Sequence, residues 1–186
     1  MNDTGLDELL QRAARREPEA LCKLVETYSP RVFGLLYRLT GSRDAAEDLL
    51  QETFLRVVRV IGEYRHVGKF ESWLFRISAN LARDRARRLV RRGESGVAER
   101  RDAMASPGTG DAGNPAEYLA RQEMEQRLAA CLQRLSAAER EVIVLRHYSG
   151  LAFREIAAIL KIPLGTALAR AHRALQRLRQ ELADEG

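Results

Sequence analysis

Asp44-Ala45-Ala46-Glu47-Asp48-Leu49-Leu50-Gln51-Glu52-Thr53-Phe54-Leu55-Arg56 is the stretch on which the reading of the whole chain turns. It predicts a helix over 44–61 with two unlike faces. Leu50, Phe54, Val57, Val58 and Ile61 recur at i, i+4, i+7, i+8 and i+11, a single apolar stripe that faces a core. Asp48, Gln51, Glu52 and Leu55 recur at i, i+3, i+4 and i+7 on the other side. A leucine among acids and amides has two accounts. The plain one is a solvated face with one stray apolar residue, which is common. The sharper one is a docking patch in which Leu55 anchors and the acids select a basic partner. Periodicity alone favours the plain account.

The remaining 173 of the 186 residues lie around this stretch and bound the answer. The length suits one ordinary domain or two small ones. The net charge is +5, and 28 of the 31 basic residues are arginine, with Lys23, Lys69 and Lys161 the three lysines. Arginine suits bidentate phosphate and base contacts, although GC-rich coding produces the same bias. Cys22 and Cys131 stand far apart, which argues against a disulfide scaffold and fits a reducing cytoplasm. No apolar run approaches the length of a membrane span, and the N-terminus lacks an apolar signal segment. Isolated histidines and distant cysteines form no metal-ligand pattern. The expectation is a cytoplasmic protein without cofactor, metal or membrane insertion.

Ahead of the opening stretch, 6–15 reads as a short amphipathic helix with Leu6, Leu9, Leu10 and Ala13 on one side. A second helix starts near Glu17, with Pro18 in its first turn and Leu21, Leu24, Val25 and Tyr28 at helical spacing. Pro30 interrupts or kinks it. Val32, Leu35, Leu36 and Leu39 carry the stripe on to a stop at Gly41. Behind the opening stretch, 62–70 reads as a loop, and a helix runs from Ser72 to about Arg92. Leu74, Ile77 and Leu81 form its inner face. Arg76, Asn80, Arg83 and Arg87 share an outer one at i, i+4, i+7 and i+11. Six arginines and one acid, Asp84, fill 83–92, and Tyr64, Phe70, Trp73 and Phe75 lie just before them. A basic run is ordinarily a solvated face. Beside aromatic rings it is also the pattern of a surface that tracks phosphates and stacks bases. Some of these rings must be core.

Gly, Ser and Pro crowd 93–114 and periodicity disappears, so a flexible linker separates two domains, 1–92 and 115–186. Pro115 suits a helix start. Leu119, Met124, Leu128, Cys131, Leu132 and Leu135 supply apolar positions. Ser136-Ala137-Ala138-Glu139 is a capping box for the next helix. A short helix over 153–160, a tight turn at Lys161-Ile162-Pro163 and a long basic helix from Leu164 to about Ala183 make a helix-turn-helix arrangement, with an ordinary helical hairpin as the plain account. Ala157 is small enough for a close crossing, and Gly165-Thr166 opens the long helix with groups able to meet a phosphate.

Three segments together resemble one family, the extracytoplasmic-function RNA polymerase sigma factors. Asp44, Ala46, Glu47, Asp48, Leu49, Gln51, Glu52 and Phe54 match the family's polymerase-docking helix. Trp73, Leu74, Arg76, Ile77, Asn80, Asp84 and Arg87 match its promoter-melting segment. Leu151, Glu155, Ile156, Ala157, Leu160, Ile162, Pro163, Gly165, Thr166, Arg170, His172, Arg173 and Ala174 match its −35-reading domain. The resemblance implies an all-α protein of two small helical domains and a specificity subunit, not an enzyme. It implies core RNA polymerase as partner through Asp48, Gln51, Glu52 and Leu55. It implies capture of the single-stranded −10 element through Tyr64, Lys69, Arg76, Asn80, Arg83 and Arg87. It implies duplex −35 DNA at Thr166, Arg170, His172, Arg173 and Arg177. Family members often have an anti-sigma factor, which would have to cover these faces.

Two rivals remain. A dimeric helix-turn-helix regulator of duplex DNA explains 119–183 but leaves the 44–56 face and Asn80 idle. A helical interaction protein that titrates a partner needs no DNA contact. No carboxylate pair, activated nucleophile or glycine-rich phosphate loop supports an enzyme. One departure from the family pattern stands out. Lysine and serine are usual where Leu168 and Ala169 occur, and a basic residue is common where Leu175 occurs. Leu164, Leu168, Ala171, Leu175, Leu178 and Leu182 form a stripe of alternating four- and three-residue steps. Either the stripe is a wide inner face, or Leu168 and Leu175 are exposed at its flank.

Overall fold

The structure is a computed structural model describing residues 3–64, 69–93 and 115–184, and every described element is helical. The expected loop residues 65–68 and the expected linker residues 94–114 lie outside the described set. The chain divides into two compact units, Met1–Val97 and Ala98–Gly186.

In the first unit, α1 (Asp3–Ala14) leads into α2 (Pro18–Thr40). Pro18 sits at the helix start, where its missing N–H costs nothing, and Gly41 ends α2 in the left-handed region at φ 71°, its N–H donating to Tyr37 O at 2.8 Å. The helix continues through Pro30. That residue is exposed, so the lost hydrogen bond falls on the wet side of the helix. Next come α3 (Arg43–Val60), a 3-10 turn at Ile61–Glu63 and α4 (Phe70–Arg91). Ser42 caps α3 by accepting from Ala45 N at 3.3 Å. Helix α2 packs on α3 and α4, α3 packs on α4, and α1 lies against α2 and the 3-10 turn. Leu24, Val32, Leu35 and Leu36 of α2, Leu49 and Val57 of α3, and Phe70, Leu74 and Phe75 of α4 are buried in this core. Each such side chain contributes about 1.5–3 kcal/mol relative to exposure.

The inner face of α3 is turned from the expected stripe. Ala45, Ala46, Leu49, Thr53, Phe54 and Val57 are buried, while Leu50 and Val58 are only half-buried. Thr53 is the reason. It looks polar in a hydropathy pattern, yet its hydroxyl donates to Leu49 O at 2.7 Å and sits inside the stripe without an unmet hydrogen bond.

In the second unit, α5 (Pro115–Arg134), α6 (Ala137–Ile143), a π turn at Val144–Tyr148, α7 (Phe153–Leu160) and α8 (Leu164–Asp184) follow in order. α5, α6 and α7 all pack on α8, and Cys131, Val142, Leu145, Leu151, Ile156 and Leu160 are buried in this unit. The capping box forms as expected. Ser136 Oγ accepts from Glu139 N, and Ser136 N donates to the Glu139 carboxylate at 3.3 Å. Half-buried Arg140 donates to Leu132 O at 2.9 Å and Gln133 O at 3.0 Å in the last turn of α5 and to Leu135 O just beyond it at 3.2 Å. Burial pushes its guanidinium below the ordinary value, against the pull of Glu141. Between α7 and α8, Lys161 takes the left-handed conformation at φ 53° and Ile162 N donates to Ala157 O at 3.0 Å. These two features make the tight turn. Pro163 O accepts from Thr166 N at 3.0 Å and starts α8.

Candidate functional site

Three side-chain rows stand out on these helices. The first is on α3, where Asp48, Gln51, Glu52 and Leu55 are exposed together. Leu55 is 60% exposed, so it takes no part in the core of its own unit. Asp48 is within 3.4 Å of Arg85 Nη1 on α4, a surface pair that leaves the acid mostly solvated.

The second row is on α4. Lys69, Trp73, Arg76, Asn80, Arg83 and Arg87 follow one another in steps of four and three residues, which keeps them on one side of the helix. Lys69, Arg76, Asn80 and Arg87 are exposed, and Arg83 is half-buried. The row begins at an aromatic cluster that rests on the core. Phe70 is 1% exposed and packs edge-on against Tyr28 at 5.2 Å. Half-buried Tyr64 and Trp73 lie against it, with ring centroids 4.7 Å apart. The four aromatic residues of the sequence pattern are thus sorted. Phe70 and Phe75 belong to the core, and Tyr64 and Trp73 form a partly open platform at the head of a basic row. Trp73 lies in line with the row although the selected −10 set omits it, because buried and open rings have the same sequence signal. On the same helix, Glu71 pairs with Arg31 of α2, which lies over the Phe75 ring at 5.3 Å.

The third row is on α8, whose long stripe the structure separates into three. Ala167, Ala171, Ala174 and Leu178 are buried. Thr166, Arg170, Arg173 and Arg177, at i, i+4, i+7 and i+11, run along one flank. Leu168, His172, Leu175, Arg179 and Leu182, at i, i+4, i+7, i+11 and i+14, run along the other. Leu168 is 46% exposed and Leu175 36%, so the wide-inner-face account fails and the exposed-flank account holds. Small alanines let α8 lie close to its neighbours, and the larger leucines are left beside the contact. His172 sits on the leucine flank, apart from the four other residues selected for the −35 set.

The arginine flank is tied to the fold. Glu139 is buried at 5% exposure, and its carboxylate accepts from Ser136 Oγ at 2.7 Å and Arg177 Nη1 at 3.0 Å, with Arg173 Nε at 3.7 Å. The Ser136 hydroxyl bond, then Arg177, the Ser136 backbone and Arg173 hold this carboxyl below the usual range, against the opposing effect of burial. The capping box announces the local half of this arrangement. The reach to α8 has no sequence signal.

The two units match known families one by one. Residues 24–92 match the Sigma-70 region 2 family and residues 131–180 match the Sigma-70 region 4 family. This combination defines a promoter-specificity factor of the sigma class. The chain belongs to the extracytoplasmic-function RNA polymerase sigma factors, which direct core polymerase to promoters and are not themselves enzymes. It is 37% identical over 170 residues to the RNA polymerase sigma factor CarQ of Myxococcus xanthus, covering 89% of this chain and 91% of that one. It is 30% identical over 183 residues to the sigma factor SigW of Bacillus subtilis, covering 94% and 95%. Identity to the sigma factor SigE of Mycolicibacterium smegmatis is 38% over 87% of this chain, which spans 61% of that relative's length. Among solved structures, CnrH in complex with the cytosolic domain of CnrY aligns over 96% of this chain and 97% of its own at a TM-score of 0.64 and 26% identity. The sigma factor RpoE of Bartonella quintana, in complex with the anti-sigma factor NepR, aligns over 87% and 95% at 0.66 and 25%. Among the described residues, no helix is long and apolar enough to cross a membrane.

Proposed function

We propose that the three rows divide the work of promoter recognition in the cytoplasm. The α3 face docks core RNA polymerase, with Leu55 as apolar anchor and Asp48, Gln51 and Glu52 as polar rim. The α4 row takes the single strand of the −10 element. Arg76, Arg83, Arg87 and Lys69 follow its phosphates, the Tyr64–Trp73 platform stacks against bases, and Asn80 reads a base edge by donating and accepting. The arginine flank of α8 binds the duplex −35 element, with Thr166 and the open start of the helix at a phosphate. His172 adds a phosphate contact from the other flank. Residues 93–114 act as a tether that makes two weak DNA contacts reinforce one another.

The observation that carries this reading is the α4 row. A stacking platform, an amide and four cations on one helix side serve an unpaired strand, and a duplex-only regulator has no use for them. The sigma factor RpoE of Bartonella quintana is held in complex with the anti-sigma factor NepR. We extend that to an anti-sigma factor for this chain, covering the same exposed rows. Transcription in vitro with core polymerase on a genomic fragment library tests the proposal. Promoter-specific transcripts dependent on this chain are expected. Tight operator binding without polymerase, and no transcripts with it, would replace the proposal with the regulator reading.

A further inference from the structure

Arg173 and Arg177 are more than half exposed, yet they share one acid that is almost fully buried. A surface arginine ordinarily meets a surface acid in a loose, solvated pair. Here the acid is fixed. Glu139 is held by both the hydroxyl and the N–H of Ser136, so its charge cannot swing away from the arginines. The row on α8 therefore contains two kinds of cation. Arg170 is half-buried with its charge uncommitted to Glu139, and Arg173 and Arg177 are partly neutralised from beneath.

Sequence-independent DNA affinity scales with the number of phosphates neutralised by free cations. A guanidinium already shared with a carboxylate contributes less to it. Such a guanidinium contributes fully only where the duplex offers an acceptor placed well enough to draw it off the acid. A matched site does so in one register, and random duplex does not. Specificity is a difference of affinities, and a built-in competitor raises it by weakening the wrong complex more than the right one.

Resting on the assignment of α8 to duplex DNA, we infer that Glu139 is a specificity-determining residue that restrains Arg173 and Arg177 from sequence-independent phosphate binding. Glu139→Gln separates this role from helix capping, because glutamine also serves the capping box. The test is binding of the full chain to a labelled random-sequence duplex by fluorescence anisotropy over a salt series. Glu139→Gln, Ser136→Ala and Arg170→Ala are compared with the parent, and melting temperatures are measured in parallel. Glu139→Gln is expected to bind about three- to tenfold more tightly, with a log K against log salt slope steeper by about one to two. Ser136→Ala, which loosens the cap and one hold on the carboxylate but keeps its charge, is expected to lower the melting temperature and to steepen the slope less than Glu139→Gln does. Unchanged or weaker binding by Glu139→Gln, with Arg170→Ala still impaired, overturns the inference and leaves the duplex assignment standing. If neither variant changes duplex binding, the duplex assignment fails and the inference fails with it. Should Glu139→Gln not fold, Glu139→Asp withdraws the charge by one methylene. A steeper slope then supports the restraint, and an unchanged one overturns it.

Discussion

The basic rows of α4 and α8 have the same spacing and nearly the same composition, and they are built differently. On α4, Arg76, Asn80 and Arg87 are exposed, and Arg87 lies within 3.9 Å of Asp84 of its own helix. On α8, Arg173 and Arg177 join their helix to the start of α6 through Glu139. The first unit has a large aromatic and aliphatic core and has surface to spare. The second is smaller, fills the close side of α8 with alanines, and recruits two exposed arginines into its tertiary contacts. The exposed cations Arg76 and Arg87 of α4 thus stand apart from the core packing of their unit, whereas Arg173 and Arg177 of α8 take part in the tertiary contacts of theirs.

The sharpest way to break the comparison is at the α3 face, where separation is most complete. Leu55→Asp is expected to abolish binding to core polymerase, a loss on the order of 2 kcal/mol or more for a buried anchor. Its unfolding curve should match the parent within about 0.5 kcal/mol. Co-purification of the variant with core polymerase at parental yield removes the docking assignment.

The next largest contrast is between two arginines. Arg177→Ala removes a hydrogen-bonded partner from a buried carboxylate and is expected to cost about 1–3 kcal/mol of stability while also reducing the salt slope of binding to matched −35 duplex, but not to random duplex, by about one. Arg76→Ala is expected to impair −10 capture with stability unchanged within about 0.5 kcal/mol. Denaturant melts of both variants decide the matter. Equal stabilities would dissolve the distinction between the two rows.

Within the α4 row the expected effects are smaller and more specific. Arg83→Ala should slow opening of promoter duplex, and pre-melted promoter DNA should restore much of the loss. Asn80→Ala should instead change base preference at one position of the −10 element, by about 1–3 kcal/mol for a two-point contact. Transcription from a template set varied at that element reads both effects. Normal activity and preference in both variants would return this face to plain solvent exposure.

The smallest effect is on the leucine flank. Leu168→Lys is expected to be tolerated, because the side chain is already 46% exposed. It should strengthen −35 duplex binding and steepen the salt slope by about one counterion. A sharp fall in melting temperature would show that the lysine had entered the core.

Much of this protein is legible along the chain because the signals are local. Gly41 ends α2, Ser42 caps α3, and Ser136 with Glu139 opens α6, each through bonds that span four residues or fewer. That Asp48, Gln51, Glu52 and Leu55 share one side of α3, and Arg76, Asn80, Arg83 and Arg87 one side of α4, also follows from helical periodicity alone. The inner stripe of α3 was less legible, since Thr53 hides its hydroxyl in a bond to the preceding turn and reads as polar.

The sequence by itself determined that the chain is helical, where α3, α6 and α8 begin, which residues share a side, and to which family it belongs. Those properties depend on covalent geometry and on neighbours within one or two turns. Tertiary structure alone decided that Ala167, Ala171 and Ala174 face inward while Leu168 and Leu175 remain outside, that the Tyr64 and Trp73 rings meet at a tilt, and that Glu139 reaches Arg173 and Arg177. Helical periodicity defines a stripe but not its centre. A shift of one side-chain width exchanges flank for core, and only the shape of the neighbouring helices selects between them. A buried carboxylate likewise takes whichever cations the packing brings within reach, and these come from a helix far away in the chain.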